Sequence, residues 1–100
     1  MDVITDFVKI LELKCYSRQT IISYKSHLIH VHKHFKNTSL KKIFDKDLFE
    51  FVYHLVKVKG IPASYQRQIV GSLKLFYKEI FNRGIPFEYL NSLKENVNSL

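Results

Sequence analysis

The chain has 100 residues, of which 46% are hydrophobic and 14% are aromatic. That composition suits one compact domain with a single core, and it excludes both a disordered tail and a second domain of similar size. A formal charge of +7 and an isoelectric point near 9.6 favour nucleic acid, or else an anionic membrane surface, as the partner.

The sequence also bears on compartment. No apolar run approaches the length that a bilayer requires, and Asp2 stands where a signal peptide would carry a basic residue. Cys15 is the single cysteine, so no disulfide can form within the chain. We therefore expect a soluble protein of the reducing cytoplasm with no membrane partner.

The first predicted helix runs from Asp2 to about Lys14. Its apolar residues recur three or four positions apart, which is the spacing of one helix face. They are Ile4, Phe7 and Leu11, with Val3 and Ile10 beside them. Cys15 follows, and we expect it to be a small packing residue at the end of this helix.

A second helix is predicted to begin after Ser17, whose hydroxyl can accept a hydrogen bond from a backbone amide of the first turn. Its apolar stripe repeats spacings of three and four without interruption. The stripe consists of Ile21, Tyr24, Leu28, Val31 and Phe35. Asn37, Thr38 and Ser39 break the pattern, so the helix is expected to end before them.

Two further helices follow. The third is predicted from about Asp45 to Gly60. The fourth is predicted to begin within Pro62 to Ser64 and to end at residues 82–84. The apolar stripe of the third consists of Leu48, Phe51, Val52 and Leu55. That of the fourth consists of Ile69, Val70, Leu73, Phe76, Tyr77 and Ile80. Asp45, with Asp47 and Glu50, is expected to complement the dipole of the third helix.

Four helices with short connections predict antiparallel neighbours, so we expect an all-α fold of two helical hairpins around one aromatic and aliphatic core. No stretch alternates with the period of a strand. Tyr24 and Tyr77 are expected to be core aromatics with their hydroxyls at the rim. Residues 87–100 have only weak apolar spacing, which predicts a linker or a short helix after a domain of residues 1–86.

Two of the helices carry a polar stripe, free of acidic residues, beside the apolar one. On the second helix the stripe consists of Gln19, Ser23, Ser26, His30 and Lys33. On the fourth it consists of Ser64, Arg67, Gly71, Lys74 and Lys78. The chain has no acidic residue between Glu12 and Asp45, or from Phe51 to Lys78. Such segregation is typical of a surface that meets a polyanion, although a lysine-rich helix face can also be merely solvated.

The residues that open these two helices form recognisable motifs. The second begins Tyr16-Ser17-Arg18-Gln19-Thr20, followed by Tyr24 and Leu28. The fourth begins Gly60-Ile61-Pro62-Ala63-Ser64-Tyr65-Gln66, followed by Leu73, Phe76 and Tyr77. Between Ile4 and Arg83 the chain thus resembles the N-terminal core-binding domain of tyrosine recombinases, the phage-type integrases. Pro62 and Tyr65 depart from the family pattern, which usually has Ser and Thr there.

The resemblance implies a SAM-like, orthogonal four-helix bundle that forms half of a C-shaped clamp around DNA, with the second and fourth helices near the major groove. The implied partners are double-stranded DNA, a catalytic domain of the same parent chain and other recombinase protomers on DNA. None of Arg18, Arg67 and Arg83 is followed by the His-x-x-Arg and Tyr of the family's active site. We therefore expect no catalytic residue and no cofactor in this chain, and a linker in residues 87–100.

The predicted DNA contacts divide by chemistry. Cations that suit phosphates are Lys25, Lys33, Arg67, Lys74 and Lys78. Groups that suit base edges are Gln19, Thr20, Ser23 and Gln68. The remaining candidates are Arg18, Ser26, His30, Ser64 and Tyr65. His27, His30 and His34 share one side of a helix, but no Cys or carboxylate stands near them, so no metal site is predicted.

Two other classes of function stay open on the sequence. A helical protein-interaction module is one, because Phe49, Tyr53 and Val56 could leave apolar surface on the third helix. A simple helix-turn-helix repressor is the other, although these helices are longer than that motif needs.

Overall fold

The structure is a computed structural model, and it describes residues 2–87. Within that range there is no strand. The elements in chain order are α1 (Val3–Leu13), α2 (Arg18–His34), a 3-10 turn (Leu40–Lys42), α3 (Asp45–Lys57) and α4 (Ala63–Phe81). The predicted all-α fold of four helices is confirmed. The short 3-10 turn is an addition that the apolar spacing did not indicate.

The helix starts follow from local capping. The Asp2 carboxylate accepts a hydrogen bond from the Ile4 amide at 3.0 Å, and the Ser17 hydroxyl accepts one from the Thr20 amide at 3.1 Å. Each side chain thereby satisfies a donor that the first turn leaves without a helical partner. Ser17 is the predicted cap of α2, and the structure confirms it. α4 begins directly after Pro62, within the predicted interval.

Three residues with positive φ mark the turns: Cys15 at 63°, Gly60 at 63° and Asn82 at 52°. Glycine and asparagine tolerate this left-handed conformation, whereas Cys15 carries a Cβ that disfavours it. The prediction that Cys15 is a packing residue is wrong, because its side chain is exposed. Its role is conformational, since the turn from α1 into α2 needs a left-handed residue there.

The core lies mainly around α4, which contacts each of the other three helices. Leu11, Leu28, Val52 and Leu73 have no exposed surface, and the rings of Phe7 and Phe76 meet edge to face at 5.3 Å. The predicted apolar stripes therefore supply the core. Ile21 and Phe35 are half-buried at its margin.

The connection from α2 to α3 is held against the end of α4. The Tyr77 hydroxyl donates to the Leu40 carbonyl at 2.6 Å, and burial raises the pKa of Tyr77 to about 12, so the hydroxyl keeps the proton that it donates. The expected rim position of this hydroxyl is wrong, because Tyr77 is completely buried. Arg83 donates to the carbonyls of Lys41 at 3.2 Å and Ile43 at 2.6 Å.

The described chain ends inside the core. Ile85 and Phe87 are each 3% exposed, and the Phe87 ring packs edge to face on Phe49 at 5.3 Å. Phe87 is also the first residue of the predicted linker. The rest of that linker, residues 88–100, lies outside the described residues, so the division at residue 86 stays a prediction.

Candidate nucleic-acid interface

α2 and α4 lie side by side and run in opposite directions. The Tyr24 hydroxyl is 3.4 Å from the position that a Cβ on Gly71 would occupy, and the rings of His27 and Tyr65 meet edge to face at 5.2 Å. A later residue of α2 thus meets an earlier residue of α4. At Gly71 the contact with α2 is made by the tip of the Tyr24 side chain, and a Cβ there would only touch that hydroxyl. We call this line of contact, marked by Tyr24 and His27 on α2 and by Tyr65 and Gly71 on α4, the α2–α4 seam. The side of each helix on which it lies determines which polar residues of the two helices are neighbours.

The polar stripe of α4 lies beside this seam. Successive residues of an α-helix are turned by about 100°, so Ser64, Arg67, Lys74 and Lys78 all lie within about 60° of Gly71. All four are exposed. Among residues 2–87, no hydrogen bond or ion pair occupies the Arg67 guanidinium. The Lys78 ammonium donates to the Asn82 side chain at 3.1 Å, which orients it at the end of the helix.

Part of the polar stripe of α2 shares this face. Thr20, Ser23 and His30 lie within about 60° of His27, which touches α4, and Gln19 lies within about 80°. Thr20 and Ser23 are half-buried, whereas Gln19 and His30 are exposed. The Thr20 hydroxyl also accepts a hydrogen bond from the Ser17 hydroxyl at 2.9 Å. Gln68 contributes an exposed amide from the α4 side of the seam.

The other predicted residues of α2 lie on its outer side. Arg18 and Lys25 are turned about 180° and 160° from His27, which places them away from α4. Ser26 and Lys33 lie between the two sides, and together with Lys25 and His30 they line a shallow depression on the surface of α2. The structure therefore brings Lys25 together with Lys33, but not with the cations of α4.

A groove runs along the C-terminal half of α4. Its polar lining includes Tyr16 and Tyr24, whose ring centroids are 6.5 Å apart, together with Lys74, Lys78 and Asp45. Burial raises the pKa of Tyr24, so its hydroxyl stays a neutral donor and acceptor. Cations and phenolic hydroxyls are groups that bind phosphate oxygens, and aromatic rings pack on sugars and bases.

A second cleft, of about 530 Å³, lies between α2, the end of α3 and the start of α4. Its apolar lining consists of Phe51, Leu55, Ile61, Pro62, Tyr65 and Ile69. His27 at its base is 4% exposed, and neither ring nitrogen has a hydrogen-bond partner among the described residues. Burial lowers the pKa of His27, and the nearby Gln68 opposes part of that shift. Tyr65 is half-buried here and packs on His27.

His30 and His34 line the same cleft as His27. Residues 2–87 contain no group of three or more His, Cys, Asp or Glu side chains that could hold a metal ion. The chemistry of the cleft is accordingly that of an apolar wall with imidazoles along one edge.

One cationic surface lies outside the predicted DNA contacts, although Lys41 and Lys42 belong to the first acid-free stretch. We call it the basic turn and define it as residues 40–46. It carries Lys41, Lys42 and Lys46, all exposed, and Phe44, which is 74% exposed. Three lysines in six residues were the available signal. That signal was weak because neither apolar periodicity nor the two motifs covers this stretch.

No helix within residues 2–87 has both the length and the apolar character needed to cross a membrane.

Comparison with known proteins gives one result. The family model described as phage integrase, N-terminal SAM-like domain, matches residues 3–86. The searches of curated proteins and of solved structures gave no match.

Proposed function

The chain belongs to the family of phage integrase N-terminal SAM-like domains, and from that membership we propose that it is the DNA-binding clamp domain of a site-specific tyrosine recombinase. In this proposal α2 and α4 grip duplex DNA during integration and recombination. The strand-cleaving chemistry belongs to a catalytic domain of the same parent chain. Other recombinase protomers on the DNA, and a cytoplasmic location, are part of the same proposal.

The observation that supports it best is the adjacency of two acid-free polar stripes. Tyr24 of α2 contacts α4 at Gly71, and Arg67, Lys74 and Lys78 lie on the same side of α4 as this contact. α4 has 19 residues, hence a length of roughly 28 Å, which matches about eight base pairs of duplex. One helix can thus follow the DNA over most of a helical turn.

The residues divide into two roles on this surface. Lys33, Arg67, Lys74 and Lys78 neutralise phosphates and release counterions, which gives affinity without sequence preference. Gln19, Thr20, Ser23 and Gln68 lie on the faces that border the seam and offer short donors and acceptors to base edges. Each good bidentate base contact would discriminate by about 1 to 3 kcal/mol.

Fluorescence anisotropy of a labelled generic duplex, titrated between about 50 and 200 mM salt, tests the proposal. If four cations engage phosphates, the plot of log affinity against log salt should have a slope of about −3.6. The double variant Arg67→Gln/Lys74→Gln should reduce the size of that slope by about 1.8.

The matched control is Lys9→Gln/Lys57→Gln, which removes the same two charges from exposed positions on α1 and α3. It should leave the slope nearly unchanged. Salt-independent binding by the unaltered chain, or an equal loss in both double variants, would refute the role of α4.

A second candidate function is protein interaction through α3. Tyr53 is 52% exposed and Val58 is 67% exposed, so apolar surface remains there. Phe49 contributes less, because it is half-buried and the Phe87 ring packs on it. Self-association without DNA, seen by sedimentation and abolished by Tyr53→Lys, would favour this function over the clamp.

A further inference from the structure

The basic turn, residues 40–46, is held more firmly than a loop of its length requires. Leu40 and Ile43 are 5% and 2% exposed, and the Tyr77 hydroxyl donates to the Leu40 carbonyl at 2.6 Å. Arg83 adds hydrogen bonds to two carbonyls of the turn and an ion pair with Asp45 at 2.6 Å. Because these contacts hold the backbone of the turn in one conformation, its outward side chains are displayed in a fixed arrangement.

Those outward side chains are cationic and aromatic. Lys41, Lys42 and Lys46 are exposed, and Phe44 is one of the most exposed large apolar residues of the described chain. The Asp45 carboxylate is paired with Arg83, and Asp47 is the other acid that lines the depression beside the turn. The turn therefore presents positive charge around a projecting aromatic ring, an arrangement found where proteins contact nucleic acid.

The basic turn adjoins the cations of α4. Asp45 lines the depression that holds Lys41 and Lys42, and it also lines the groove that holds Lys74 and Lys78. Arg83, just beyond the end of α4, lines the depression at the turn and is paired there with Asp45. The positive surface thus continues from α4 onto the turn, with the neutralised Asp45 between them.

We propose that the basic turn is a second contact surface for the sugar-phosphate backbone of the duplex that lies on α4. Lys41, Lys42 and Lys46 bind phosphates, and Phe44 packs on the deoxyribose between them. This inference rests on the proposed function, because it extends the same DNA beyond α2 and α4. DNA is favoured over a lipid surface because the turn is continuous with the stripes beside the α2–α4 seam.

The experiment compares three double variants of the 100-residue chain on one labelled duplex. Lys41→Gln/Lys42→Gln alters the turn, Lys74→Gln/Lys78→Gln alters α4, and Lys9→Gln/Lys57→Gln is the control. Each removes two of the seven net positive charges, so long-range attraction changes equally. Glutamine keeps the length of each side chain close to native. The hydrogen bonds from Arg83 are accepted by backbone carbonyls of the turn, so these substitutions leave both acceptors in place.

We expect the turn variant to reduce the size of the salt slope by about 1.8, as much as the α4 variant, while the control stays near the unaltered chain. Phe44→Ala should weaken binding about tenfold with no change in slope, because it removes packing and no charge. Circular dichroism of each variant verifies that the helices are retained.

The two proposals can fail separately. If the unaltered chain binds no DNA, or the α4 variant binds as the control does, the proposed function fails. If the α4 variant is impaired but the turn variant matches the control, the turn is not a DNA surface. Binding of the turn to phosphatidylserine vesicles, lost in the turn variant while its DNA affinity is retained, would also overturn the inference.

Discussion

His27 shows what a single buried side chain contributes. It is 4% exposed, has no hydrogen-bond partner among the described residues and packs on Tyr65. Burial lowers its pKa below the ordinary value of 6.5, so the folded protein holds the imidazole neutral. The surrounding groups are Tyr65 and Gln68 on α4 and His30 on its own helix, none of them acidic.

A dependence of stability on pH follows from this lowered pKa. The unfolded chain binds a proton near pH 6.5, whereas the folded chain binds it only at lower pH. The free energy of unfolding should therefore decrease as the pH falls through about 6.5 and level off below the folded pKa. Urea titrations between pH 7.5 and pH 5 measure the effect. His27→Leu should reduce the pH dependence, and the exposed His32→Gln should not.

Cys15 gives a second prediction at this scale. Its φ of 63° is disfavoured by a Cβ, and glycine avoids that cost. Cys15→Gly should raise the free energy of unfolding by about 1 kcal/mol, measured by urea titration. Leu13→Gly, at the end of α1 and 84% exposed, is the matched control and should lower it by about 0.5 to 1 kcal/mol. If Cys15→Gly does not raise the free energy of unfolding, the left-handed backbone conformation of Cys15 carries no strain.

At the scale of elements, the junction between the end of α4 and the basic turn depends on contacts between residues far apart in sequence. Tyr77→Phe removes the shorter of two hydrogen bonds to the buried Leu40 carbonyl, which also accepts one from the Ile43 amide at 3.4 Å, so it should cost about 0.5 to 1.5 kcal/mol of stability. The control Tyr53→Phe removes a hydroxyl from a residue that is 52% exposed and should cost little. Thermal and urea unfolding of both variants make the comparison, and equal stabilities would show that the bond from the Ile43 amide is enough for this carbonyl.

The same junction marks the limit of prediction from sequence. Helix starts such as that of α2 at Ser17 were predictable, because a cap and its amide are three residues apart. The bond from Tyr77 joins residues 37 positions apart, and those from Arg83 span about 40, so no local pattern indicates them. The spacing of apolar residues identified the polar stripe of α2. The direction in which that stripe faces depends on how α2 is rotated about its own axis, which its packing on α4 determines. This rotation separates Lys25 from the cations of α4.

At the scale of the whole molecule, the two sides of α2 should differ in DNA binding. Arg18→Gln/Lys25→Gln and Lys74→Gln/Lys78→Gln remove equal charge, so attraction at long range is the same in both. Because Arg18 and Lys25 point away from α4, their loss should change the salt slope by less than half as much as the loss of the α4 lysines. Anisotropy titrations in parallel give the two slopes, and identical slopes would mean that DNA wraps around α2.

The burial of Phe87 has a mechanical consequence. Tension on the chain beyond that residue would reach the ring contact with Phe49 first and then Arg83, whose guanidinium also holds the basic turn. A load applied to the chain past residue 87 would therefore be transmitted, through the few residues between Phe87 and Arg83, to the turn that carries Lys41 and Lys42.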